Sequence, residues 1–166
     1  QGAGGASGDL APLAHMSAAY MGHGEAHVGG QRMAASEALR AIGEVPLELA
    51  AKEGLALING TEVIGAIGAG TYLRAVNVSK CADAIAALTI EALFGSSKPF
   101  DARLAVLKGL SGHARAAANV RKCLADSKVL ASHMDCDRVQ DPYSLRCVPQ
   151  VHGAFKQALE HVGSVL

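Results

Sequence analysis

TEVIGAIGAGTYLRAVNVSKCADAIAALTIEALF, residues 61–94, decides the fold. Val63, Ile64, Ile67, Leu73, Val76, Cys81, Ile85, Leu88, Leu93 and Phe94 recur at near-helical spacing. Only Glu62, Arg74, Lys80, Asp83 and Glu91 carry charge in this stretch. A helix of this length runs on the order of 50 Å at about 1.5 Å per residue. Water cannot solvate most of such a surface. The pattern therefore predicts a long helix buried among other helices, those of other subunits included. Gly65, Gly68 and Gly70 weaken it locally but let helices approach closely. Thr61 is placed to cap its first turn.

Upstream, residues 9–21 read as a helix with Pro12 near the first turn, where proline is tolerated. Residues 25–33 hold Gly29-Gly30 between short alternating segments, which predicts a small β-hairpin. Residues 34–42 form a short helix ending before Gly43, and Pro46 marks a loop. Residues 48–57 are helical in composition, with a break at Asn59-Gly60. Downstream, residues 95–99 break the chain, 101–107 form a short helix, and 109–112 a turn. Residues 114–125 are helical, while 127–140 lack a clear period. Residues 144–166 return to helix, with Pro149 as a kink or a start. The expectation is a mainly α chain forming one segment. Residues 1–60 hold a glycine-rich loop, the hairpin and short helices; residues 61–166 hold the long helices.

Composition narrows the function classes. Hydrophobic residues make up 50% of the 166 and charged residues 18%. The 15 basic and 15 acidic residues cancel, and no basic run suggests nucleic acid. So apolar a chain implies more bare apolar surface than a small soluble monomer carries, as a piece of a larger helical assembly would. The stretch from Val63 to Leu73 is too short to span a bilayer and is broken by glycines. Cys81, Cys123, Cys136 and Cys147 form no CxxC pair, and the reading is buried, reduced thiols in a cytoplasmic protein. His133 and Cys136 alone do not make a zinc site, and no metal is expected.

Chemistry concentrates in two places. GASGDLAPLAH, residues 5–15, places Ala6-Ser7-Gly8 in a glycine-rich corner before a helix start at Asp9. The Gly8 nitrogen could attack the Ala6 carbonyl, and loss of two waters would turn Ser7 into a dehydroalanine within a methylidene-imidazolone ring. Glycine permits the backbone geometry this needs. The plainer alternative is a flexible loop with an Asp helix cap. In the second place, Tyr143 and Arg146 stand three apart and share a helix face. Arg146 offers a planar fork suited to a carboxylate; the alternative is a surface arginine paired with Asp141. Its apolar flanks, Leu145, Cys147 and Val148, argue against full exposure. Asn59 could simply cap the helix that follows it.

Three blocks, GASGDLAPLAH at 5–15, EGLALINGT at 53–61 and RVQDPYSLRCVPQVHG at 138–153, resemble the aromatic amino acid ammonia-lyase family. Their order and spacing are family-like. PLAHM and VQDPYSLRC look more like the histidine enzymes than those acting on phenylalanine or tyrosine. The resemblance implies the long-helix bundle core of the fumarase/aspartase-like ammonia-lyase type. It also implies a 4-methylidene-imidazole-5-one made autocatalytically from Ala6-Ser7-Gly8, and deamination of L-histidine to urocanate and ammonia. By resemblance Asn59 hydrogen-bonds the prosthetic group and the substrate. Arg146 binds the substrate carboxylate, Tyr143 lies near the electrophile as a catalytic residue, and Gln140 contacts the substrate or orders the loop. Asp141 and Gln150 are structural hydrogen-bonding groups, and His15 serves packing or supports the site from behind its contact residues. The family works as a homotetramer whose sites combine several subunits. The chain resembles a central fragment, with the catalytic base and an acidic residue supplied by other segments. The alternatives are a phenylalanine or tyrosine lyase, or an inactive helical assembly fragment. The partners expected are the amino acid substrate and other segments and subunits of the tetramer, with neither nucleic acid nor membrane.

Overall fold

The computed structural model describes every residue except Gln1, Ala3 and Ala6. The chain divides into two compact units, residues 1–68 and 69–166.

The first unit holds α1 (Leu10–Tyr20), the strands β1 (Glu25–Val28) and β2 (Gln31–Ala34), α2 (Ala35–Ala41), α3 (Glu53–Ile58) and the start of α4 (Glu62–Ala92). The strands pair antiparallel, with Glu25 opposite Ala34 and Val28 opposite Gln31 across the Gly29-Gly30 turn. Leu13 of α1 and Ala35, Ala38 and Leu39 of α2 are buried and supply the apolar core. The helix expected over 48–57 is shorter, starting only at Glu53. Pro46 lacks an amide donor, and Lys52 adopts a left-handed φ of 72°, which resets the chain just before α3.

Asp9 behaves differently from a local cap. Its side chain makes no bond to α1. It is fully buried and accepts the Ile64 amide of α4 at 2.8 Å, while its own amide donates to the Gly60 carbonyl at 2.7 Å. Asp9, rather than Thr61, therefore caps the long helix. A carboxylate at a helix N-terminus also meets the positive end of the helix dipole.

The second unit holds the rest of α4, a 3-10 turn at Lys98–Phe100, α5 (Ala102–Lys108), α6 (Ser111–Cys123), α7 (Lys128–Ala131), α8 (Tyr143–Arg146) and α9 (Val148–Val165). Its core joins Ala86, Ala87 and Ile90 of α4 with Phe100, Ala117, Val120, Leu124, Leu145 and Val148. Pro149 lies in the first turn of α9, so it starts a helix rather than kinking one. Helices α6 and α9 meet backbone to backbone. A Cβ on Gly112 would fall 2.1 Å from the Gly153 carbonyl oxygen, so no larger residue fits.

Between these helices lies a polar knot. Asp83 of α4 is 1% exposed. One of its oxygens meets His152 Nδ1 at 2.9 Å; the other accepts Asn119 Nδ2 at 2.7 Å and the Lys156 ammonium at 2.8 Å. Lys156, itself buried, also donates to Ser79 Oγ at 2.7 Å.

The opposite face of α4 is bare. Leu73, Val78, Ile85 and Leu88 are each more than 60% exposed. Cys81 is exposed as well, as are Cys123 and Cys136, and Cys147 is half-buried. This corrects the expectation of buried thiols: these cysteines lie on faces that the helices of this chain do not cover. Among the described residues, no helix is long and apolar enough to cross a membrane, and no group of three or more metal-ligating side chains gathers.

His113 sits at the α6–α9 crossing, 3% exposed, and its Nδ1 has no hydrogen-bond partner among the described residues. Burial, with the Lys108 charge adding to it, pushes its pKa below the ordinary histidine value. The unfolded chain therefore takes up the proton first. The stability this group contributes is full above about pH 6.5 and is lost as pH falls below that value. Denaturation across this range is expected to show that loss, and His113→Phe to flatten it.

Candidate active site

The first group of expected site residues lies in the first unit. Ser7 is exposed in the turn before α1, while Gly8 is buried beneath it. The Gly8 amide donates to the Gly5 carbonyl at 3.1 Å, which closes the corner. Gly8 has a φ of 116°, a backbone that L side chains rarely adopt. A Cβ there would also come within 2.9 Å of Asn59 Oδ1 and 3.0 Å of Asn59 Cα. Asn59 is thus packed directly against the corner. It stands at the C-terminal end of α3, where its amide donates to the Leu55 carbonyl at 3.0 Å. The neighbouring Asp9–Gly60 bond holds the two loops together. Ala6 lies outside the described residues. His15, expected to pack or to support the site from behind, is exposed on α1, where Leu13 and Ser17 turn inward.

A second group of expected site residues lies in the second unit. Gln140, Tyr143 and Arg146 line one surface depression together with Leu93, Arg138, Asp141 and Pro142. Beside it, a cavity of about 250 Å³ reaches from Gln140 and Arg146 to Phe94, Gly95 and His133. The one-turn helix α8 places Tyr143 and Arg146 on one face, and the guanidinium carbon lies 5.7 Å from the ring centroid. The neighbouring Cys147 thiol raises the Tyr143 phenol above its ordinary pKa, with the Arg146 charge opposing. Arg146 Nε donates to the backbone carbonyl of Asp141 at 2.9 Å rather than to its carboxylate. Gln150 is exposed on α9.

Several of the residues that shape this part were given no role from sequence. His133 Nε2 lies 2.9 Å from the Gly95 carbonyl oxygen, and Arg138 donates to the carbonyls of Leu93 and Phe94 at 3.1 and 3.2 Å. The Ser96 amide donates to Asp141 Oδ2 at 2.6 Å. Together they tie the aperiodic stretch 132–142 to the end of α4. The signal for them is faint: polar side chains in a stretch without period, facing a helix end whose carbonyls need donors.

The sequence model of the family described as "Aromatic amino acid lyase" matches residues 1–166, the whole chain. The chain belongs to the aromatic amino acid lyase family. Among members of the aromatic amino acid lyases, a histidine ammonia-lyase of Sorangium cellulosum is 50% identical over 166 residues, covering 100% of this chain and 32% of that protein. One of Natranaerobius thermophilus is 49% identical over 162 residues, covering 98% of this chain and again 32% of the relative. The chain thus spans about a third of the length of the curated relatives it matches. In structure it resembles the phenylalanine aminomutase of Pantoea agglomerans, with a TM-score of 0.82 and 32% identity over 95% of this chain and 34% of that one. It also resembles the histidine ammonia-lyase of Trypanosoma cruzi, with a TM-score of 0.75 and 35% identity over 94% of this chain and 28% of the other. The mainly helical lyase fold expected from the sequence is therefore the fold of this chain.

Proposed function

We propose that this chain is the segment of a histidine ammonia-lyase that carries the electrophile loop and the clamp for the substrate carboxylate. The observation that carries this reading is the 50% identity, over all 166 residues, with a protein of that name. The likeness to the phenylalanine aminomutase is 32% by comparison. The reaction is non-oxidative loss of ammonia from L-histidine to give urocanate, in a cytoplasmic homotetramer whose other segments complete the site.

The corner at Ala6-Ser7-Gly8 fits a methylidene-imidazolone. Position 8 excludes every residue but glycine, Ser7 is free of packing, and the Asn59 amide stands against the loop. The group would supply an electrophilic carbon that ordinary side chains lack, and so activate the departure of ammonia. Asn59 would hold the ring and the substrate amine side by hydrogen bonds. Arg146 would hold the carboxylate through its free terminal nitrogens, a charge-assisted pair. Tyr143 lies within cation–π reach of that guanidinium and would present its protonated phenol to the site. Gln140 borders the same depression and offers both a donor and an acceptor.

Purified full-length protein given L-histidine, L-phenylalanine and L-tyrosine tests the reading. Urocanate and ammonia from L-histidine, at a kcat/KM at least about a hundredfold above the other two, is expected. Preferred release of cinnamate or coumarate, or formation of β-amino acids, would overturn it.

A further inference from the structure

We infer that Asp141 is the positioning residue that aims Arg146, selecting which edge of its guanidinium meets the substrate carboxylate. The inference rests on the reading of Arg146 as the carboxylate clamp.

Asp141 is 7% exposed and uses three acceptor atoms in three directions. Oδ2 takes the Ser96 amide at 2.6 Å, which fixes the residue to the end of α4. Oδ1 takes Arg138 Nη1 at 3.4 Å, the same nitrogen that donates to the Leu93 and Phe94 carbonyls. The backbone carbonyl, held in place by those two anchors, accepts Arg146 Nε at 2.9 Å.

The last bond has a chemical consequence. A guanidinium can grip a carboxylate side-on through Nε and one Nη, or end-on through both Nη atoms. With Nε occupied by the Asp141 carbonyl, the side-on edge is closed. Among the described residues, neither Nη of Arg146 has a protein partner, so the end-on edge is open. The Tyr143 ring lies beside the same group, its centroid 5.7 Å from the guanidinium carbon, a long cation–π contact. Loss of the Asp141 side chain leaves Arg146 in place but releases the carbonyl that aims it, and a clamp able to rotate holds a carboxylate less well.

The test uses the full-length enzyme and two competitive probes: urocanate, which carries a carboxylate, and histamine, which carries the imidazole without one. The readout is the ratio of their affinities, with KM and kcat for L-histidine alongside. Asp141→Ala is expected to weaken urocanate by about tenfold to a hundredfold, the size of a charge-assisted hydrogen-bond loss, with histamine unchanged and KM rising more than kcat falls. Asp141→Asn keeps an acceptor for Ser96 and is expected to restore the ratio to within about threefold of the parent. A parent-like ratio in a folded Asp141→Ala protein overturns the inference, as does equal weakening of both probes. Should Asp141→Ala not fold, Asp141→Asn and Arg138→Gln decide. A ratio lowered by two- to fivefold in Arg138→Gln, with less effect in Asp141→Asn, supports the inference, and parent ratios in both overturn it. Arg146→Ala separates the two levels. If it leaves the ratio unchanged, the clamp itself is misassigned; if it lowers the ratio while Asp141→Ala does not, only the positioning role fails.

Discussion

Replacing Ser7 by alanine in the full-length protein is expected to lower kcat for ammonia release from L-histidine by at least about a thousandfold, because it removes the carbon from which the electrophile is made. The structure makes this a clean experiment. Ser7 is exposed and donates no hydrogen bond among the described residues, so its hydroxyl does nothing for the fold. The Gly8–Gly5 and Asp9–Gly60 bonds that shape the corner are all backbone bonds, and alanine leaves them intact. Helical content and oligomeric state are therefore expected to match the parent while turnover is lost. Near-normal turnover in Ser7→Ala would remove the electrophile from the account. Loss of fold together with activity would show the corner to be structural.

The largest stability effect is expected at Asp83. Asp83→Ala takes the carboxylate from Lys156, His152 and Asn119 at once. The Lys156 ammonium would remain buried, with only Ser79 as a partner. Breaking a buried ion pair from one side costs about 3–5 kcal/mol, because the surviving charge is left uncompensated. Denaturant unfolding of Asp83→Ala against the parent is expected to show a loss of that size. Replacing both partners with apolar residues of similar volume, Asp83→Leu with Lys156→Met, is expected to recover much of it, since no charge then stays buried. A single substitution costing less than about 1 kcal/mol would mean that water reaches the knot and screens it.

How far the sequence foretold these features depends on what each rests on. The long helix was legible over residues 61–94 because its apolar residues recur over many turns, and it runs from Glu62 to Ala92. The hairpin was legible because Gly29-Gly30 is a strong local turn signal. Features that depend on distant partners were harder to see. Asp9 looked like the cap of its own helix, yet it caps a helix that begins more than fifty residues later. Asp83 looked like one of several charges dotting α4. Its burial becomes readable only once Ser79, Asp83, Ala86, Ala87 and Ile90 are seen to form one inward stripe, with Lys156 on the inward stripe of α9. The cysteines misled because a cysteine is usually buried, while each of these has a charged neighbour, Lys80, Lys122, Asp135 and Asp137, or Arg146, that marks a place near solvent. At the site, the Tyr143–Arg146 spacing predicted a shared face correctly. Of its supports, His133 and Arg138 lie in an aperiodic stretch and the Ser96 amide in the break after α4, and no local pattern encodes contacts between the two.

The measurement that tests the central claim most directly is the mass of the tryptic peptide that contains Ser7 and ends at Arg32, taken from the purified full-length protein. If Ala6-Ser7-Gly8 closes into the ring, that peptide lies about 36 Da below the encoded mass, the weight of two waters, and the deficit vanishes in Ser7→Ala. A peptide of full encoded mass from folded, active protein would contradict the account.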